Sequence, residues 1–549
     1  MNGFVKGRVD VKKTIISLLL IVVLEFIAFY MIGPAINVCN VGFWIFQSIF
    51  VGIFLLTTFK QISVNQIGYN VLTKVSGGFI ILAAVIVVIG SVYSAKIFHA
   101  GKYSSLIEVE KKDFATDMPS SEKDVNDIAL MDTASAKVVG QRAIGSLSDV
   151  ISQYEISDSY STIDFDGEPM KVASLEYAGF FKWINNRSQG VPGYVFVDPV
   201  KFEAKYVKLD KAIKYTPSGF FNDNLYRHLR FQYPTYMFEG YYFEVDNEGN
   251  PYYICPVLKP HVGLFGAYDV KGIVLCDPCT GKSQYYKVGE IPNWVDRVYD
   301  GDLATRKYNW YGTLSGGFIN SIIGQKGCKM STDDYGYKVI DGDVWVYTGV
   351  TSVIGDQSNV GFVLINARTC EAIYYTIAGA EEYSAMDAAE GQVQNLGYKA
   401  AFPSLINIDG EPTYFMVLKD KSKLVKMYAM VNYKKYSIVA TGTTQKDTLA
   451  NYKKLLKTNN ISKGKSEDLY KTKEIVVDSV KYIEMSGETF CYITDADGNV
   501  YKQLFAENES LIFVKEGDTL TVKYEESEDG INSLTSYERK ENATSISGE

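Results

Sequence analysis

At 549 residues the chain is too long for a single hydrophobic core, which rarely grows past roughly 250–300 residues. Its formal net charge of -9 argues against the basic surface that neutralises phosphate backbones, so nucleic acid is not an expected partner. Aromatic residues make up 14% of the chain, with 41 tyrosines, a bias that suits a body rich in pleated sheet.

Residues 14–34, 42–59 and 77–95 are nearly continuous apolar runs of the length that crosses about 30 Å of hydrocarbon, which predicts three transmembrane helices within residues 1–95. Lys6, Arg8, Lys12 and Lys13 precede the first run, whereas the 37–41 connection carries no charge. With Lys60 and Lys74 in the next loop, the positive-inside rule puts the N-terminus in the cytoplasm and the region after residue 95 outside the plasma membrane. A cleaved signal peptide does not fit, because further spans follow immediately. Glu25 falls near mid-span, where a carboxyl costs on the order of 2.5–3.5 kcal/mol. It needs a partner or a proton: a bond to Gln47 or a neighbouring span is one reading, and a relay or a docking point for a basic residue of another membrane protein is the other.

Residues 96–131 are charged and mixed and read as a linker or stalk. From residue 132 to 441 one pattern recurs about four times. Asp166-Gly167, Asp341-Gly342 and Asp409-Gly410 each sit between apolar strands, and the dipeptide supplies the positive φ angles of a tight hairpin; Asp246 to Pro251 is a longer relative. Residues 192–209, 271–288 and 360–377 align without a gap as a second hairpin. Helical patterns at 133–154, 222–233, 292–311 and 380–396 precede the strands, so each unit is a helix followed by about four antiparallel strands, every 70–95 residues or so. A polar helix at 446–457 and a lysine-rich linker close residues 442–473. Residues 474–540 then carry about five short strands of a small closed β-domain, OB-like in spacing, and 541–549 read as a disordered tail. The expected fold class is a membrane-anchored α+β protein: N-terminal transmembrane helices, tandem helix-plus-antiparallel-sheet units, and a small all-β domain.

The helix-then-meander order, with the turns Val197-Asp198-Pro199 and Cys276-Asp277-Pro278-Cys279-Thr280-Gly281, resembles the PepSY and wider cystatin-like group over residues 133–441. The third copy departs to Ile365-Asn366-Ala367, and the fourth lacks the motif. The resemblance implies a helix lying across a curved sheet, an extracytoplasmic setting in the bacterial envelope, and a role in binding or restraining partners. No catalytic residue carries over from it.

Chemistry is sparse. His99, His228 and His261 are the whole histidine supply, none lies in a nucleophile or zinc signature, and His228 reads as a packing or surface residue. No cofactor or metal motif is present. Cys276 and Cys279 form the sharpest local pattern, and with Cys255 on the preceding strand they suggest either a disulfide outside the cell or buried free thiols. The pairs Tyr241-Tyr242, Tyr252-Tyr253, Tyr285-Tyr286 and Tyr374-Tyr375 are expected to turn one ring inward and one outward, and an outward row would stack on glycans or clasp a peptide. The sequence therefore predicts a non-enzymatic, membrane-anchored scaffold or regulator of the cell envelope that engages a protein or cell-wall polymer. The alternatives are a hydrolase using acidic residues between units and an accessory subunit of a membrane transport or secretion complex.

Overall fold

The computed structural model describes residues 11–60, 71–145, 147–353, 358–459, 461, 470–485, 488–505, 508–525 and 530–540. Lys6 and Arg8, most of the 457–473 linker and the 541–549 tail lie outside the described residues. The chain divides into a large unit ending at Asn459 and a small one beginning at Asn460.

All three apolar runs are helical: α1 (Val11–Ile32), α2 (Val41–Lys60) and α3 (Val71–Tyr93). Two contain stretches long and apolar enough to cross a membrane, Thr14–Ile32 and Thr73–Tyr93, and the third, Val41–Thr57, is shorter. Large apolar side chains such as Leu19, Leu56 and Ile81 stand exposed along these helices, a surface that water does not favour.

Four sheets follow, assembled in one order: a helix, two short strands that share a single longer partner, then two more antiparallel strands. The shared strands are Glu168–Tyr177, Pro251–Val262, Asp343–Ser352 and Glu411–Lys419. The helices are Thr133–Gly145, Leu225–Gln232, Gly301–Leu314 and Glu382–Gln392, so the units begin 76 to 92 residues apart. Asp166-Gly167, Asp341-Gly342 and Asp409-Gly410 close their hairpins with positive φ at both residues, from 51° to 54° at the aspartates and 78° to 86° at the glycines. A second turn also recurs. Asp198, Asp277 and Asn366 each accept two backbone N–H groups two and three residues onward, and Asn432 does the same in the fourth unit, where the sequence motif had vanished.

The units are not independent beads, because neighbouring sheets share their cores. Along Pro251–Val262, Tyr253, Cys255 and Val257 face the core held in common with the first sheet, while Ile254 and Leu258 face the one held with the third. In the third sheet Val346, Val363 and Ile365 face backward and Tyr347, Phe362 and Leu364 face forward to the fourth. This corrects the tyrosine expectation: Tyr374 and Tyr375 are both buried, on opposite faces, and Tyr252 and Tyr253 likewise enter different cores. Period-2 alternation separates the two faces of a strand, and here both faces are covered.

Two further expectations change. The presumed linker 96–131 is laid along the body as α4 (Lys96–Ser104), a strand Val109–Lys112 paired in parallel with Ala372–Tyr375, and a turn Phe114–Asp117 that buries Phe114 against the last two sheets. Its length is spent on pairing with the third and fourth units: Ser121 N donates to Asn407 O, and Glu122 pairs with Lys453. The helix expected from Pro292 begins only at Gly301, where Asp300 caps Leu303 N; the N–H groups of residues 298 and 299 both donate instead to Ala367 O, which holds them in a bend.

In the small unit, strands Tyr470–Met485, Glu488–Asp495, Val500–Leu504, Thr519–Glu525 and Ile531–Arg539 close a barrel in the order first, second, third, fifth, fourth. The third and fifth strands run parallel. Its core is formed by Ile475, Ile493, Tyr501, Leu520 and Val522 among others.

Candidate functional site

The first unit touches the third and fourth as well as the second. Asp132 pairs with Lys419 at 2.5 Å, Ser135 Oγ donates to Lys423 O, and the Phe202 ring meets Tyr428. Where these units converge lies a cavity of about 290 Å³. Its walls come from residues 129–133, from Thr162 and Lys171, from Asp334 to Val339 and Tyr347, and from Phe402 and Ser404.

Two lysines dominate this cavity. Lys171, on the strand Glu168–Tyr177, donates to Thr162 Oγ1 at 3.0 Å; Lys338, on Gly336–Ile340, reaches only Leu405 O at 3.4 Å. Neither has a carboxylate within ion-pair distance among the described residues. Burial pulls the Lys171 ammonium down to about 8, with Asp132 pushing it up and Arg297 down. Burial likewise pulls Lys338 down to about 8. Asp132 does not compensate them fully: although burial raises its carboxyl, the Lys419 pair and the Ser135 bonds hold it low, and it caps the helix Thr133–Gly145. Trp345, the cross-strand partner of Lys338 and therefore on the same face, has an indole N–H with no hydrogen-bond partner. The cavity thus holds two lysine donors beside two aspartates that are already engaged, Asp132 by Lys419 and Asp334 by Tyr335 N and the Tyr383 hydroxyl, which leaves the lysines to receive an anion.

A second ionic cluster is sealed beside it. Glu244 and Asp296 are 0% and 1% exposed; the Glu244 carboxylate accepts from Asp296 N and Arg297 N, and Asp296 accepts from Asp164 N at 2.7 Å. Arg368 bridges Asp296 and Asp343, and Arg297 lies between the Tyr242 and Tyr337 rings. Burial pushes Glu244 up to about 7 against the backbone bonds and arginines that lower it, and burial with the adjacent Glu244 raises Asp296.

These shifts set opposite pH slopes. As pH rises from about 4.5 to about 7 the unfolded chain ionises Glu244 before the folded one does, so stability falls. From about 8 to 10.5 the folded state sheds the lysine protons first, so stability rises. The contribution of these groups is therefore lowest between about pH 7 and 8. Thermal melts across pH are expected to show the alkaline rise flatten in Lys338→Met and the acid rise flatten in Glu244→Gln; a slope unchanged by either substitution would remove that group from the account.

The residues singled out in sequence lie elsewhere. Gln47 donates to Glu25 Oε1 at 2.8 Å, which satisfies that carboxyl within the helical bundle. Cys255 and Cys276 are buried in the core between the first two sheets, and Cys279 Sγ donates to Lys211 O at 3.2 Å. All three are free thiols, with burial pushing each one up, which disfavours thiolate chemistry. His228 stacks on Tyr215 and bonds Gly281 O, a packing role. Lys171 and Lys338 carried no sequence signal beyond being the single cation of their strands. Among the described residues no three His, Cys, Asp or Glu side chains converge as a metal-ligand set. Comparison with protein-family models and with curated proteins finds no match for this chain.

Proposed function

We propose that the protein is a membrane-anchored, extracytoplasmic binding protein that holds an anionic group, a phosphate or carboxylate, in the lysine cavity. The observation that carries this reading is the pair of half-buried lysines, Lys171 and Lys338, which face one cavity with no carboxylate within ion-pair distance of either among the described residues. Leaving two like charges desolvated is costly, and a bound anion relieves that cost. The volume suits a small anion or the charged end of a larger ligand carried on a protein or wall polymer.

Anchoring is supported by the two long apolar helices, and by the way the 33–40 loop and the end of α3 both meet the second unit, as an odd number of spans requires. The positive N-terminal flank supports an outside location for the body. The helix-plus-split-meander unit supports the PepSY-like resemblance, and the barrel's strand order with its parallel third and fifth strands supports an OB-like reading. A polymer gripped by outward tyrosines loses support, because those rings are mostly covered. The hydrolase reading gains nothing from Glu244 and Asp296, a convergent carboxylate pair with no surface from which to meet a substrate.

The test is titration of the full chain in lipid nanodiscs with inorganic phosphate and with acetate, followed by calorimetry and thermal melting. Saturable binding with proton uptake is expected at pH 7, weakening as pH rises past about 8 because the lysines discharge there. Lys338→Met and Lys171→Met are each expected to weaken binding at least about tenfold, the worth of roughly 1.4 kcal/mol, while raising the melting midpoint of the ligand-free protein. Binding of equal strength in both variants would refute the cavity as the site.

A further inference from the structure

From the packing of the second unit against α1, we infer that the body is seated in the outer leaflet of the bilayer along this unit and the adjoining segments of the first and third, with their apolar edge as a lipid-binding surface. The inference rests on α1 being a membrane span, and it adds that the folded body itself enters the lipid.

Phe231, on the helix Leu225–Gln232, packs its ring 6.5 Å from Phe26, 5.7 Å from Phe29 and 5.9 Å from Tyr30. Phe26 lies six residues before the end of α1 at Ile32, about 9 Å down the helix axis. A side chain of the body therefore reaches well below the end of the span, yet Phe231 remains 46% exposed. Lipid is the occupant that fits an apolar ring at that depth. The surface continues from there. Tyr30 Oη donates to Asn222, and the neighbouring Phe220 and Phe221 pack on Phe180 and Trp183, leaving Phe181 77% exposed. Exposed apolar patches of this kind mark interaction sites rather than ordinary solvent-facing surface.

The polar groups sit where headgroups would be. Arg227 donates to Tyr30 O and lies 4.3 Å over the Tyr30 ring, and Arg187 lies over Trp183. An aromatic body with its cation at the rim is the pattern of an interfacial anchor. The far edge is apolar as well: Phe318 packs with Tyr103, whose hydroxyl donates to Ser94 O at the end of α3, and the adjacent Ile319 and Ile323 are 74% and 82% exposed.

Nitroxide labels on introduced cysteines, in a Cys39→Ser/Cys279→Ser background of the full chain in nanodiscs whose five remaining cysteines are buried, test this directly. Labels would be placed at Phe181→Cys, Ile323→Cys, Val22→Cys on α1, and Lys421→Cys on a fourth-unit turn. Positions 181 and 323 are expected to match position 22, open to oxygen and protected from a water-soluble nickel chelate, while position 421 shows the reverse. If 22 is lipid-protected but 181 and 323 are as open to nickel as 421, the seating is overturned and the span stands. Nickel access at position 22 would overturn the span and the seating together.

Discussion

Arg368→Met is expected to destabilise the large unit by about 3–5 kcal/mol, the cost of stranding a buried charge by removing its partner. Arg368 reaches Asp296 at 3.2 Å and Asp343 at 2.8 Å, and donates to Asn293 O. Asp296 is 1% exposed and receives a bond from Asp164 N in the first unit, so its charge has neither water nor another cation to turn to. Because Glu244 shares the site, the orphaned pair would take up a proton, and the loss should deepen as pH rises above about 7. Denaturant midpoints measure this. The double variant Arg368→Met/Asp296→Asn is expected to recover much of the loss; equal destabilisation in the double variant would mean that the cost is packing rather than charge. Arg368→Lys should remain well below wild type, since a single ammonium cannot span two carboxylates and a carbonyl as a guanidinium fork does.

Gly272→Ala is expected to cost about 3 kcal/mol, at the upper end for overpacking. A Cβ there would lie 2.2 Å from Tyr286 O and 2.7 Å from Tyr285 Oη, and the first of these is backbone in a paired strand that cannot swing aside. Gly193 in the first unit meets the same obstruction, 2.1 Å from Val207 O with the Tyr206 ring behind it. Gly361 in the third lies beneath Tyr374. Each glycine thus seats a tyrosine from the next strand, which explains why tyrosine recurs at that place. A Gly272→Ala midpoint equal to wild type would show that the sheet relaxes and that the glycine serves another purpose.

The sequence was most legible where local chemistry decides the backbone. The Asp-Gly hairpins fall where the dipeptides are, the barrel strands match the five predicted segments, and the ungapped alignment of residues 192–209, 271–288 and 360–377 already held the three glycines in register. It was least legible where distant units meet. Lys171 and Lys338 look like solvated positions in a half-exposed strand, and only the return of the third and fourth units onto the first buries them. The fourth turn carries no Asp-Pro to mark it, because the geometry needs only a side-chain carbonyl at that point, which Asn432 provides. The paired tyrosines misled for a related reason, since a strand covered on both faces alternates just as one covered on a single face does.

The strap between α3 and the body has a mechanical consequence. Val109–Lys112 pairs in parallel with Ala372–Tyr375 through four successive rungs, in a segment that joins α3 to the first unit's helix. A pull on α3 directed along this strand loads all four rungs at once, in shear, instead of peeling them one after another. The segment is therefore built to carry tension from the apolar helices into the edge of the third sheet, and it would yield abruptly rather than stretch.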